Sequence, residues 1–329
     1  MAAVKPGQWR DWAPIRVYRR DGRWAVDWCF LGGARFTAPF FDDTIEFCLR
    51  RPFNLVFRRQ TPIEALAELQ AAAPGIYPTG FIFHMSRCGS TLVSQMLAAL
   101  PSNIVVSEAS VLDGALRSEL WDPDVTDVQR VSWLRGVISA LGRPRDAQEQ
   151  RFFIKFDSWH SVDLGLIRLA YPDVPWIFLY REPTEVLVSH RRQPGSQMVP
   201  GMIGPGWMGL DMTEIATMSL DEYAARVLAT ICRGALEHRD DGGLFVNYRQ
   251  LPEAVFAEIA DHFGATFDAV ELERMRQAAG FDAKSPSLSF TADSGAKQAA
   301  ASVEMRRLSE QGLMPLYAEL EALRLGASR

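Results

Sequence analysis

The chain has 329 residues, 48% of them hydrophobic and 23% charged, with a net charge of −5 at neutral pH. That is enough length and apolar content for a sizeable core, and the negative balance argues against a general nucleic-acid binder. No run approaches the roughly 18 apolar residues of a membrane span, the opening MAAVKPGQWRDW lacks the apolar core of a signal peptide, and four scattered cysteines at 29, 48, 88 and 232 point to a reducing cytoplasm. In chain order, Trp9, Trp12, Trp24 and Trp28 mark the first segment, where RVYRR and WAVDWCFLG flank Asp21-Gly22 and predict a β-hairpin. Residues 44–49 read as a helix behind Asp42 and Asp43, two acids better suited to a cap or turn than to a paired site. Thr61-Pro62-Ile63-Glu64 reads as a capping box with proline at the first helical position, opening a helix through Ala72. Residues 74–80 read as a linker. Residues 1–75 are accordingly expected to form a small β-rich accessory lobe, and residues 76–329 the main domain.

The main domain opens with GFIFHMSRCGSTLVSQMLAAL, residues 80–100. Phe81 to Met85 predict a buried strand; Leu92, Val93, Met96, Leu97 and Leu100 recur at helical spacing. Between them Ser86, Arg87, Cys88, Gly89, Ser90 and Thr91 form a small polar turn. Such a turn aims backbone N–H groups and a positive helix end at one spot, a setting for phosphate or sulfate. Arg87 adds a cation and the two hydroxyls add donors, although a lone turn of this kind leaves a solvated loop arginine equally open. The lysine of a nucleotide triphosphatase loop is missing. Cys88, at a helix start beside arginine, reads as small first and as a lowered-pKa thiol second.

Further strands are predicted at IVV (104–106), FFIKF (152–156), WIFLY (176–180) and LFVNY (244–248), alternating with helices. The pattern predicts an α/β fold of three layers, α/β/α, with a central parallel sheet. Ligands of such sheets collect at the carboxyl ends of strands, and Arg87, Glu108, Arg181 and Tyr248 all follow strand runs, with Lys155 near the end of its own. Arg181 begins REPTEVLVSH, whose Pro183 suits a first helical turn, and Ser189 follows about two turns later. A surface ion pair and a solvent-facing serine are the plain alternatives. Residues 193–212, QPGSQMVPGMIGPGWMGLDM, are too rich in glycine and proline for a regular element and read as a lid loop, with Trp207 and four methionines as an adaptable apolar surface. Ser219 to Glu222 form a capping box that starts a helix to about His238. Residues 251–263 read as one helix stopped by Gly264, and SFTADSGAKQ interrupts the pattern before the last helices. The five histidines, at 84, 160, 190, 238 and 262, show no metal-binding spacing. His84 reads as a core imidazole.

Taken together, SRCGST and YREPTEVLVSH resemble the paired anion motifs of sulfotransferases that use 3′-phosphoadenosine 5′-phosphosulfate, nearest to the bacterial and tyrosylprotein branch. The resemblance covers roughly residues 78–300, strongly at those two loops and loosely elsewhere, and the GxxGxW pattern of cytosolic members is absent. It implies a P-loop nucleoside-triphosphate-hydrolase-like fold and a sulfuryl transfer without a metal. Residues 86–91 then correspond to the 5′-phosphosulfate loop, and Arg181 and Ser189 to the 3′-phosphate site. Glu108 in VVSEAS resembles the general base and Lys155 the sulfate-stabilising lysine, with Arg87 beside the transferring group. His160, close after the Lys155 strand, is a second candidate base. Tyr248 resembles a residue bordering the nucleotide, and Lys297 is best placed for the basic residue that closes over the donor. Read structurally, Glu108 would be a helix-start carboxylate, Lys155 an edge-strand charge, Tyr248 a core residue and Lys297 a solvated lysine. The acceptor, a hydroxyl or amine, is left open. An ATP-dependent phosphotransferase and a non-catalytic nucleotide-binding protein of the same fold are the competing readings.

Overall fold

The computed structural model describes residues 9–204, 206–209, 211–281 and 294–326. Asp21 and Gly22, both at positive φ, close the expected hairpin between β1 (Trp12–Arg20) and β2 (Arg23–Phe30). Two helices follow, α1 (Phe41–Leu49) and α2 (Pro52–Val56). A third strand, β3 (Arg59–Pro62), then pairs antiparallel with β2. This strand replaces the predicted capping box. Thr61 lies opposite Val26 and accepts the Trp28 indole N–H at 3.0 Å, so its hydroxyl is committed across the sheet, and α3 (Ala65–Ala72) starts without a side-chain cap.

The second sheet has five parallel strands: β4 (Gly80–His84), β5 (Asn103–Ser107), β6 (Arg151–Lys155), β7 (Trp176–Tyr180) and β8 (Gly243–Asn247), in the order β5-β6-β4-β7-β8. Every residue of β4, β5 and β7 is buried, which explains their unbroken apolar runs. The connections are helical: α4 (Ser90–Ala98), α5 (Ser110–Leu116), α6 (Asp127–Leu141), α7 (Leu164–Ala170), α8 (Pro183–Arg192), α9 (Met212–Thr217) and α10 (Leu220–Leu236). The fold is thus α/β, a parallel sheet flanked by helices with a small antiparallel sheet at the N-terminal side. The capping box of α10 forms as predicted, Ser219 accepting the Glu222 N–H.

Two expectations fail here. Lys155 is no edge-strand charge, because β6 runs between β5 and β4 and Lys155 is fully buried. The single helix expected over residues 251–263 is two short ones, Glu253–Phe256 and Glu258–His262, interrupted by the non-helical backbone of Ala257. The antiparallel sheet shares one apolar cluster with the main sheet, through contacts such as Trp24 on Trp133 at 5.1 Å between ring centroids. Part of the predicted opening segment, residues 1–8, and part of SFTADSGAKQ, residues 289–293, lie outside the described residues.

Candidate active site

Parallel register brings the chemistry to one end of the sheet. Ser107 pairs with Lys155 and Lys155 with Ile82, so the ends of β5, β6 and β4 fall side by side. The Glu108 N–H, one residue past β5, donates to the Lys155 carbonyl at 2.7 Å. A cleft of about 680 Å³ opens there, a size in the usual range for ligand sites.

One wall is the turn between β4 and α4. Ser86, Arg87 and Gly89 all have positive φ, 77°, 52° and 85°, which wraps the backbone around a point above the α4 N-terminus. Gly89 is required for a second reason. A Cβ there would stand 2.6 Å from Leu251 Cδ1 and 3.0 Å from the Tyr248 ring. Ser90 and Thr91 line the cleft, as does Arg87, which also donates to the Gln193 carbonyl at 2.6 Å and so ties this turn to the 193–212 loop. Cys88 is wholly buried on the Leu179 carbonyl, and burial pushes its thiol up to about 12. A lowered thiol pKa is therefore excluded; Cys88 serves by being small.

On the β7–β8 side of the turn the cleft is lined by Arg181, Ser189, Tyr248 and Lys297. Arg181, 4% exposed, donates through Nε to Glu185 Oε2 at 2.6 Å and through Nη2 to Ser294 Oγ at 3.1 Å, with its guanidinium 4.0 Å from the Tyr248 ring centroid. Arg181 and Tyr248 thus form part of the cleft wall, not a surface pair and a core residue. Lys297, on the helix Ser294–Ala300, is 6% exposed and lines the same side, so it is no solvated lysine. Ser189 sits half-buried on α8.

On the other, β5–β6 side of the turn lies Glu108. Its Oε1 accepts a hydrogen bond from the buried ammonium of Lys155, which also donates to Thr91 Oγ1 at 3.4 Å and lies over the Phe40 ring. His84 completes the arrangement. Its Nδ1 accepts the Ser86 N–H at 3.0 Å, which assigns the proton of the neutral ring to Nε2, set 3.3 Å from Glu108 Oε1 and 3.1 Å from the Phe156 carbonyl. Burial alone would raise the Glu108 carboxyl, but the Lys155 charge and the His84 hydrogen bond together hold it below the usual carboxylate range. His84 is the buried, hydrogen-bonded imidazole expected from sequence, and it also links the anion turn to the carboxylate.

His160 is not brought to the cleft. It is wholly buried, with Nε2 3.1 Å from Asp113 Oδ1, and stands behind Asp157, whose Oδ2 lies 3.9 Å from Nδ1. Asp157 does line the cleft and was missed by the sequence reading. Its signal was position: two residues past Lys155, just beyond the end of β6. Burial raises its carboxyl to about 8 against the opposing pull of His160, with the Glu108 charge adding to the rise. Ser158, Trp159, Gln197 and Phe40 complete this side. Within the 193–212 loop, Gln193, Gly195, Ser196 and Gln197 face the cleft, Met198 is buried and Met202 is 66% exposed. Pro205 and Leu210 lie outside the described residues.

No protein-family model matches the chain, and no curated protein matches it significantly. Solved structures do resemble it. A sulfotransferase from Mycobacterium avium aligns at 16% identity and a TM-score of 0.49, over 78% of this chain and 80% of its own. The sulfotransferase domain of the Synechococcus olefin synthase aligns at 19% and 0.39, over 72% and 94% respectively. A retinol dehydratase solved with retinol and PAP aligns at 16% and 0.38, over 79% and 87%. At such identities and scores, function has to be argued from the residues of the cleft.

Proposed function

We propose that the chain is a sulfotransferase that moves a sulfuryl group from 3′-phosphoadenosine 5′-phosphosulfate to a hydroxyl or amine of an acceptor. One observation carries the reading: a single cleft is lined by the 86–91 turn, by the cations Arg181 and Lys297 on the β7–β8 side of that turn, and by a carboxylate–lysine pair on its β5–β6 side. A donor with anionic groups at both its 5′ and 3′ positions engages the turn and the Arg181–Lys297 side together; a nucleoside diphosphate engages the turn alone. The positive-φ backbone of the turn at the N-terminus of α4 supports an anionic group there.

In this reading Ser86, Cys88, Gly89, Ser90 and Thr91 cradle the 5′-phosphosulfate through backbone N–H groups and hydroxyls. Arg181 and Ser189 hold the 3′-phosphate, Lys297 closes over the donor and Tyr248 borders the nucleotide. Acceptor oxygen attacks sulfur in line with the bond to the phosphate oxygen; that bond breaks and the electron pair leaves with the bisphosphate. Lys155 and Arg87 offset the charge developing on the sulfuryl and bridging oxygens. Glu108 takes the acceptor proton. Its basicity is depressed by Lys155, so transfer comes late, when bonding to sulfur has made the hydroxyl acidic. His84 orients Glu108, and His160 is too deep to take the proton.

Calorimetric titration with adenosine 3′,5′-bisphosphate against ADP tests the reading. The bisphosphate is expected to bind at least about tenfold more tightly; Arg181→Ala should weaken it by about one to two powers of ten and Ser189→Ala by a few-fold, the scale of losing charged and neutral hydrogen bonds. Preference for ADP or ATP, or equal affinity in Ser189→Ala and Arg181→Ala variants that melt like the parent, would remove the assignment.

A further inference from the structure

A helix at a protein surface ordinarily buries its apolar face and shows its polar one. Helix α2 does the reverse. Its buried residue is Asn54, 2% exposed, whose Oδ1 accepts the Phe30 N–H at 2.9 Å and whose Nδ2 donates to the carbonyls of Phe30 at 2.7 Å and Cys48 at 2.8 Å. These three bonds clamp α2 onto β2 and the end of α1 and leave Phe53, Leu55 and Val56 outside, 41%, 60% and 72% exposed. Phe57 and Phe47 join them at 57% and 60%. Phe53 lies 4.5 Å from the Phe30 ring and 4.9 Å from the Phe57 ring, so the side chains form one surface rather than scattered exposures.

Within residues 47–63 the charge has one sign, with Glu46 and Glu64 flanking the segment. Residues 47–63 hold four arginines, at 50, 51, 58 and 59, and no aspartate or glutamate, in a chain whose net charge is −5. Arg50 meets Glu46 at 3.1 Å, Arg51 lies over the Phe47 ring, Arg59 lies over the Trp9 and Trp12 rings, and Arg58 is exposed. Outward phenylalanine, leucine and valine flanked by arginines match a boundary whose interior is apolar and whose face is negative. We propose that α2 and its flanking arginines form a docking surface for an anionic lipid bilayer. Among the described residues no helix is long and apolar enough to cross a membrane, so the contact is at the surface. It also reaches the cleft through one element: α1, nine residues and about 13 Å long, begins after the cleft residue Phe40 and ends at Arg50 beside α2.

Co-sedimentation of the full chain with vesicles tests this, using phosphatidylcholine alone and phosphatidylcholine mixed with phosphatidylglycerol. The mixed vesicles should retain the protein and the neutral ones should not. Retention should fall as ionic strength rises from about 0.1 M to about 1 M, which shortens the screening length from about 10 Å to about 3 Å. A Leu55→Ser/Val56→Ser/Phe57→Ser variant should lose retention, and Arg58→Glu should weaken it at least about fivefold, with unchanged melting confirming that these exposed positions leave the fold intact. Absence from both vesicle types overturns the proposal, as does equal retention on neutral ones. Self-association that the triple variant abolishes, without vesicle binding, assigns the surface to a second copy and likewise overturns it.

Discussion

Three non-glycine residues at the cleft, Ser86, Arg87 and Glu108, hold positive φ angles of 77°, 52° and 53°. Each such residue costs on the order of 1–2 kcal/mol, so side-chain contacts must hold them there. His84 touches two of the three, taking the Ser86 N–H and facing Glu108 Oε1, while Lys155 is bonded to Glu108 and Thr91. The Lys155 ammonium has no solvent exposure, so its charge depends on that carboxylate. Removing one partner of a buried pair leaves an uncompensated charge, whereas removing both leaves an apolar patch. Glu108→Gln is therefore expected to cost about 3 kcal/mol of unfolding free energy. Lys155→Met should cost less, because Glu108 is partly exposed and can be hydrated. The double variant should be more stable than Glu108→Gln alone. Urea unfolding of the four proteins gives the coupling directly; additive losses would mean that the pair does not act as a unit.

At the scale of elements, the turn between β4 and α4 depends on a neighbour distant in sequence. Gly89 faces Leu251 and Tyr248, on the segment after β8, so Gly89→Ala combines a strained φ of 85° with a contact of only 2.6 Å to Leu251 Cδ1. We expect a stability loss of about 1–3 kcal/mol together with weaker bisphosphate binding, because relaxing the strained φ at Gly89 shifts the N–H groups of the turn. Calorimetry and thermal melting on the same sample check both; loss of stability with unchanged affinity would detach the turn from the ligand. Much of this element was legible beforehand, since buried parallel strands read as apolar runs and the small polar turn stands between such a run and a helical period. The strand β3 was not legible, because RQTP is too short and polar to show a period and is held by pairing with β2. The same holds for α2, whose local pattern predicts an inward apolar face until Asn54 claims the buried position. His84 and Asp157 were hidden for another reason: their roles come from register between strands, which a single sequence does not display. His160 misled because closeness in sequence to Lys155 is not closeness to the cleft.

At the scale of the whole molecule, the carboxylates around that cleft give stability a pH dependence. Asp157 is raised from an ordinary value near 3.8 to about 8 by burial. The groups facing it are His160, Glu108, Asp113 and Lys155, contributed by the segment after β6, the end of β5, helix α5 and β6 itself. A carboxyl raised on folding binds its proton more tightly in the native state than in the unfolded chain, so stability falls as pH rises from about 4 to about 8. His160 works in the same direction, since Asp113, Asp157 and Asp163 raise it against its burial, and a raised histidine loses its contribution as pH passes its folded value. Glu108 and Asp113 oppose this at the acid end. Burial opposes their ionisation, but Lys155 and His84 hold Glu108 below its usual range and His160 and Arg117 hold Asp113 at about 2. Their stabilisation is therefore complete above the ordinary carboxylate range and lost as pH falls toward 2. The two trends cross on the mildly acidic side of neutrality, where thermal melting should show its maximum. Asp157→Asn keeps the size of the side chain and cannot ionise, so it should melt above the parent at about pH 8, with little difference near pH 4. Parallel melting curves for parent and variant across that range would place the alkaline loss elsewhere in the molecule.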